Sequence, residues 1–374
     1  MTSVLISGAS VGGPALAYFL RRHGFTVTVV ERAPAPRPGG QAIDVRGAAL
    51  TVAERLGILA ELRGLRTHMK GTSMLDGDGN ELWRSTEVAL SSGRVGGDDI
   101  EVLREDLTGL LYERTRQDVE YVFGDSITSL TQDEHGVRVT FERSAPRTFD
   151  LVVGADGLHS NVRGLAFGPE REYVRHLGTY LSIFSTDNYL GLADWQTWFN
   201  DGPAGGAVYP VRGNTELRVN LGFQSAEPIE YDHRDVQAQK RLIADHCAHV
   251  RWEVPRLLKA MWAAPDFYFD SMAQVHMDHW SAGRVTLLGD AGYCPSPLSG
   301  QGTSLALVGA YVLAAELSTA PEHEAAFAAY EARMRPFVTL NQALIEQNRE
   351  AMEHEPTEES GVDHAKNAIR LPGL

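Results

Sequence analysis

Within its first 31 residues the chain runs from an apolar stretch, Val4-Leu5-Ile6, through Gly8-Ala9-Ser10-Val11-Gly12-Gly13, to a β-branched stretch, Val27-Thr28-Val29-Val30. A short fully apolar run ending at glycine predicts a buried parallel strand. Between the turn and the second run, Ala15, Leu16, Phe19 and Leu20 recur on one face of a helix, and Gly24 supplies its stop. Strand, tight turn, helix and strand in about 30 residues make a βαβ unit, which commits the chain to a parallel sheet covered by helices. Gly8 and Gly13 are spaced as the first and last glycines of dinucleotide-binding turns. There the helix N-terminus offers unpaired N–H groups and partial positive charge to a pyrophosphate. Ser10 replaces the middle glycine of that pattern, and Glu31 lies at the end of the second strand, where a carboxylate accepts hydrogen bonds from a ribose. Taken alone, the turn is also compatible with an ordinary α/β unit.

The chain has 374 residues, enough for two or three folded units, and 43% of them are hydrophobic. Lys and Arg number 34 against 49 Asp and Glu, a formal net charge of −15. That balance repels nucleic-acid backbones and anionic membranes, so neither is expected as a partner. Two cysteines predict no disulfide framework and fit a reducing compartment. With no signal-peptide pattern and no uninterrupted membrane-length apolar run, a cytoplasmic protein is expected, as a monomer or weak dimer.

Further along, Val137–Phe141 alternates as a half-exposed strand and Leu151-Val152-Val153 reads as a buried one. Residues 179–223 are rich in Thr, Tyr, Trp, Phe and Val and are broken by Gly205-Gly206 and Gly213-Asn214, a pattern of antiparallel hairpins. Residues 236–261 read as helical with an interruption at Pro255. Phe327, Tyr330, Met334, Phe337, Leu340 and Leu344 predict a long amphipathic helix through Pro336, and the polar residues from about 355 predict a poorly ordered tail.

Two more glycine-bearing stretches follow buried strands. In Gly154-Ala155-Asp156-Gly157-Leu158-His159-Ser160-Asn161-Val162-Arg163, either Asp156 or Ser160 can cap a short helix. In Gly289-Asp290-Ala291 and Pro295-Ser296-Pro297-Leu298-Ser299-Gly300-Gln301-Gly302-Thr303, a carboxylate closes a strand and a Pro/Gly loop opens a helix. Asp290 is placed to meet a ribityl hydroxyl, and the helix N-terminus is suited to hold negative charge on a reduced flavin.

These three stretches, in this order, resemble the class A FAD-dependent monooxygenases, the para-hydroxybenzoate hydroxylase-like aromatic hydroxylases. Within them the chain is most similar to the compact enzymes that modify tetracyclines and aromatic polyketides. The resemblance covers about residues 1–350 and implies an α/β fold. Its parts are a Rossmann-like FAD-binding domain (1–70, 97–172 and 272–320), a mixed or antiparallel β-sheet substrate domain (71–96 and 173–271), a long C-terminal helix (321–354) and a tail (355–374). It implies non-covalent FAD held by Gly8, Ser10, Gly13, Glu31, Arg32, Asp44, Arg104, Asp156, Gly157, Asp290, Gly300, Gln301 and Gly302. It also implies an NAD(P)H contact at Arg37 and a mobile loop around Gly39-Gly40. O2 is then activated as a flavin C4a-hydroperoxide that places one oxygen in an aromatic or polyketide-like substrate, an antibiotic among the candidates. No protein acid or base is required, and Pro297 and Gly300 line the flavin. The family's histidine after the third motif is replaced by Tyr293-Cys294, and Ser304 stands where asparagine is common.

Trp195, Trp198, Tyr209 and Phe223, with Phe199 and Pro297, are candidates to line the substrate cavity, whereas Arg212 and Arg218 read as solvated strand residues. The thirteen histidines have no metal-ligand spacing. An FAD-dependent reductase or dehydrogenase on the same fold, or a flavin-bearing protein that sequesters its ligand without turnover, remain as alternatives at this level.

Overall fold

A computed structural model describes residues 1–90, 93–345 and 362–373. The βαβ unit forms as its sequence demands. Strands Ser3–Ser7 and Thr26–Glu31 pair in parallel, and the helix Gly12–Arg22 connects them. Parallel pairing extends outward to Leu151–Gly154 and Val285–Leu287 on one side and Glu120–Phe123 on the other. A short antiparallel strand, Ser281–Ala282, closes the edge. Every residue of Leu151–Gly154 and Val285–Leu287 is buried, as strands covered on both faces require.

The covering element is the helix Gly302–Thr319, apolar around nearly its whole circumference and packed against Gly12–Arg22, Ala48–Arg55 and the helix His323–Gln342. A helix without a polar face belongs inside a core. His323–Gln342 runs through Pro336 and buries Phe327, Tyr330, Met334 and Phe337 of the periodic positions, whereas Leu340, expected on the same face, is exposed.

A second sheet of seven strands has the order Tyr268–Val275, Val174–Asp187, Glu216–Gln224, Ala204–Val211, Gln196–Asp201, Thr72–Leu75, Glu81–Ser85. All its neighbours are antiparallel except Gln196–Asp201 with Thr72–Leu75, so the sheet is mixed. Two helices, Val236–Cys247 and Val254–Ala263, cover one face; Pro255 sits in the first turn of the second, where its missing N–H costs nothing.

The end of the chain corrects one expectation. Residues 362–373 are not a loose tail but a docked segment. Lys366 pairs with Asp99 at 2.9 Å, its carbonyl accepts from Ala48 N at 3.1 Å, and the Tyr311 hydroxyl donates to Pro372 O at 2.8 Å. The predicted helical stretch 346–354 lies outside the described residues.

Candidate functional site

The glycine turn is built by close approach. A Cβ on Gly8 would stand 2.3 Å from Ala155 O, and one on Gly13 would stand 1.9 Å from Gly8 O, so neither position tolerates a side chain. Ser10 is exposed at the tip of the turn. Glu31 accepts from Ala9 N at 2.9 Å and Ala33 N at 2.8 Å, which aligns the turn's N–H groups beside a carboxylate. Arg32 is exposed and lines a cavity of about 270 Å³ with Asp125, Arg143, His233 and Arg234.

In the second motif the Asp156 carboxylate is largely committed within the fold. It accepts from Ser160 Oγ at 2.5 Å, Val162 N at 3.1 Å and Ser7 Oγ at 3.2 Å, which joins the central strand to the helix Asn161–Ala166. Burial raises its pKa, although these bonds oppose the shift. Gly157, at φ +86, has open space around the position of a Cβ. Two residues on, His159 bridges Glu170 at 2.9 Å and Asp270 at 3.0 Å. Burial pulls its pKa down, but the hydrogen bonds to Asp270 and Glu170 outweigh it and push it up to about 9. His159, His233 and Asp270 bring possible ligand atoms within 4.8 Å of one another. Both ring nitrogens of His159 are engaged by carboxylates, however, and an imidazolium held that way is a salt bridge and not a metal ligand.

In the third motif Asp290 is half-buried, desolvation raises its pKa, and its Oδ1 lies 3.7 Å from where a Cβ on Gly302 would be. Ser296 is held at φ +72, unusual for a residue with a side chain, and Gly300 follows at φ +65, so the loop is tightly wound. Pro297 is exposed at its crest. Gln301 is fully buried, yet neither Oε1 nor Nε2 finds a hydrogen-bond partner among the described residues. Cys294 next door is buried, and burial first and Asp290 second push its thiol well above the usual range, so it is a packed group and not a nucleophile.

Against this loop packs the strand Ala42–Val45. Arg46 N donates to Ser304 Oγ at 3.0 Å, and the Arg46 guanidinium lies beside Gly300 and pairs with Asp44 at 2.9 Å. Ser304, the departure from the family pattern, therefore ties the loop to the core helix. Burial of Asp44 raises its pKa to about 7 in spite of Arg46, with Glu101 and Asp99 adding to the rise, and its Oδ1 has no partner among the described residues.

Arg104, at the start of the helix Arg104–Thr115, gathers the loop before Gly40 by donating to the carbonyls of Arg37 at 3.0 Å and Gly39 at 2.7 Å. Its Nε is buried without a partner, and burial together with Arg37 lowers its pKa to about 10. Glu105 accepts from Gly39 N at 2.6 Å and from Arg218 at 3.1 Å. Arg37 is exposed, with its guanidinium 5.6 Å from the centre of the Tyr268 ring.

Side chains alternate between the two faces of a strand, and this sorts the aromatic candidates. Tyr180, Phe184, Phe199, Val208, Leu217, Val219, Leu221 and Phe223 form one apolar cluster with the two covering helices. Phe223 stacks on His246 at 3.8 Å between centroids, so it and Phe199 lie in a core and not in the cavity. Trp195 shares that parity, and its Nε1 donates to Ser73 Oγ at 3.0 Å while Arg84 covers its ring; it is withdrawn with them. The other parity turns toward the FAD-type domain: Tyr209 accepts from Ala42 N at 3.1 Å, and Arg218 reaches Glu105. Trp198 and Tyr209 lie on this other face, but Tyr209 is buried in a small core with Leu103 and Val211, so of the two only Trp198 is left half-buried as a cavity candidate. Arg218, expected in solvent, is 2% exposed and is ringed by Glu105, Glu216 and Asp266. Glu216 is two residues away on the same strand, but Glu105 and Asp266 come from distant segments, and no local pattern announces them.

The geometry fits FAD. A turn in which Gly8 and Gly13 admit no side chain meets a helix N-terminus, and on the segments that follow it polar atoms of Gln301, Arg104 and Asp44 are buried without partners among the described residues. Unpaired buried polar atoms are rare in folded proteins and point to an absent ligand.

The FAD binding domain family model matches residues 1–343. An uncharacterized protein of Mycobacterium tuberculosis is 54% identical, covering 93% of this chain and 94% of its own. A flavin-dependent monooxygenase from an unknown prokaryotic organism is 41% identical, covering 91% and 88%. The crystal structure of tetracycline destructase Tet(55) superposes with a TM-score of 0.87 at 38% identity, covering 99% and 98%. The chain belongs to the FAD binding domain family and is an FAD-dependent monooxygenase of the class A type.

Proposed function

We propose that this enzyme takes electrons from NAD(P)H and places one atom of O2 in a flat aromatic or polyketide-like small molecule. The observation that supports the reading best is the end-to-end match to a structure described as a tetracycline destructase. In this reading the sheet face that carries Trp198 and Asn220 lines the substrate cavity.

When bound, FAD supplies electron storage and O2 activation. The protein's part is placement. In this reading Glu31 and the Gly8–Gly13 turn take the adenosine and pyrophosphate end. Asp290 meets the ribityl hydroxyls, and the N-terminus at Gly302 together with Gln301 holds charge and hydrogen bonds at the pyrimidine end. Arg104 and Asp44 close the opposite side, with Arg37 on the exposed loop meeting the anionic nicotinamide nucleotide. Pro297 and Trp198 flank the substrate and keep water away.

The test is aerobic turnover of the FAD-loaded enzyme with NADPH or NADH against tetracyclines, hydroxyanthraquinones and simple phenols, followed by product mass spectrometry. Ligand-stimulated NAD(P)H oxidation with a product one oxygen atom heavier is expected. Reduction of substrate without O2 consumption would identify a reductase, and ligand binding without NAD(P)H oxidation would identify a sequestering protein.

A further inference from the structure

The register of the seven-stranded sheet sets side chains of the functional face in rows. One row runs Tyr268, Ile183, Asn220, Ala207, Trp198 and Met74. The row on one side contains Ser185, Arg218 and Tyr209, all engaged by residues of the flavin-side loops: Ser185 with Asp266, Arg218 with Glu105, and Tyr209 with Ala42 N. The row on the other side runs Asp270, Leu181, Gly222, Gly205 and Asn200, and Asp270 is held by His159. The middle row therefore lies between two lines of contact that hold the sheet to the FAD-binding layer.

Three features of this row are specific. Asn220 is only half-buried as a residue, yet its Oδ1 is buried and has no hydrogen-bond partner among the described residues. An unpaired carboxamide oxygen in such a place is unfavourable unless a donor arrives. Ala207 beside it, and the Gly205–Gly222 pair in the next row, raise almost no side chain above the sheet. The Trp198 indole, with its N–H already donated to Gln196 at 3.2 Å, stands two strands from Asn220 as an aromatic wall. From Asn220 to Trp198 the row crosses two strand spacings, about 10 Å, the length of about three fused six-membered rings.

We propose that Asn220 determines substrate specificity, its carboxamide pairing with a hydroxyl or N–H on the edge of a flat polycyclic substrate that lies across Ala207 toward Trp198. This assignment rests on the monooxygenase reading above and names the recognition element within it. A site that hydrogen-bonds a substrate donor rejects the analogue that lacks it, because its own polar group is then left unpaired.

The test uses the FAD-loaded full chain with 2-hydroxyanthraquinone and its methyl ether, and tetracycline alongside, titrated by perturbation of the flavin spectrum. The wild type is expected to bind the free phenol at least about tenfold more tightly than the ether. Asn220→Leu, similar in volume and apolar, is expected to bring the two within about twofold. Asn220→Asp keeps an acceptor and is expected to retain the preference. Flavin content reports folding for each variant, so if Asn220→Leu loses flavin it is replaced in the comparison by Asn220→Ala, which also removes the acceptor. Equal affinity for phenol and ether in the wild type, or a preference that survives in Asn220→Leu, overturns the assignment and leaves the monooxygenase reading intact. A wild type that binds no member of the panel and shows no stimulated NAD(P)H oxidation overturns both.

Discussion

Gln301 is the side chain whose environment the protein alone explains least. A carboxamide with both ends unpaired in a fully buried position is a stability defect, and a ligand that hydrogen-bonds to it converts the defect into affinity. Gln301→Leu keeps the volume and removes the unpaired groups. The apoprotein is therefore expected to melt at a higher temperature while its dissociation constant for FAD rises about tenfold, read by thermal denaturation and by flavin-fluorescence titration. A lower melting temperature with an unchanged dissociation constant would show that Gln301 is a packing residue only. Gly13 carries the opposite lesson. Its importance lies in the atom it lacks, because the helix and the strand turn meet at backbone contact.

Between elements, the contacts are charged. His159 joins the loop after the second motif to the edge strand Tyr268–Val275 through Asp270. Asp270 also accepts from Tyr268 at 2.9 Å, and the Tyr268 ring sits against Arg37. Because the folded-state pKa of His159 is raised to about 9, its contribution to stability is complete below the unfolded value of about 6.5 and is lost as pH rises through about 9. Asp270 and Glu170 are shifted downward in spite of their burial, by the hydrogen bonds from His159, so their contribution fails only toward acid pH. The wild type is expected to be more stable than His159→Gln near pH 6.5, with the gap narrowing toward pH 9.5. Melting temperatures across that range decide it, and a pH-independent gap would mean the pair acts by packing.

For the whole molecule, the docked segment 362–373 brings the far end of the sequence to the flavin-side loop at Gly47–Ala48. Besides Lys366, Asn341 Nδ2 donates to Ala365 O at 3.1 Å, so the segment also braces the helix His323–Gln342. Removing residues 362–374 is expected to cost roughly 2–4 kcal/mol of stability and to weaken FAD retention, through the freedom given to the Asp44–Gly47 loop. Thermal denaturation and flavin content of the truncated chain measure the two effects; full retention of both would make the segment dispensable.

The three glycine motifs, the βαβ unit, the core helix and the long C-terminal helix were legible in the sequence because each depends on neighbours within about 20 residues. A glycine between an apolar run and a helix marks a strand-to-helix turn, and periodicity of 3.6 or 2 is a local property. The placement of Trp195, Phe199, Phe223 and Arg218 was not legible. Aromatic and β-branched residues mark a strand without saying which face meets helices and which meets the cofactor, and one step of register exchanges the two. The burial of Arg218, the clasp at His159 and the docking of the last residues depend on groups far apart in the chain. Their partners exist only once the sheets have packed. Sequence alone determined that FAD is bound and roughly where its loops lie; tertiary structure decided which side chains face it, because parity and long-range charge pairing are properties of the assembled sheets.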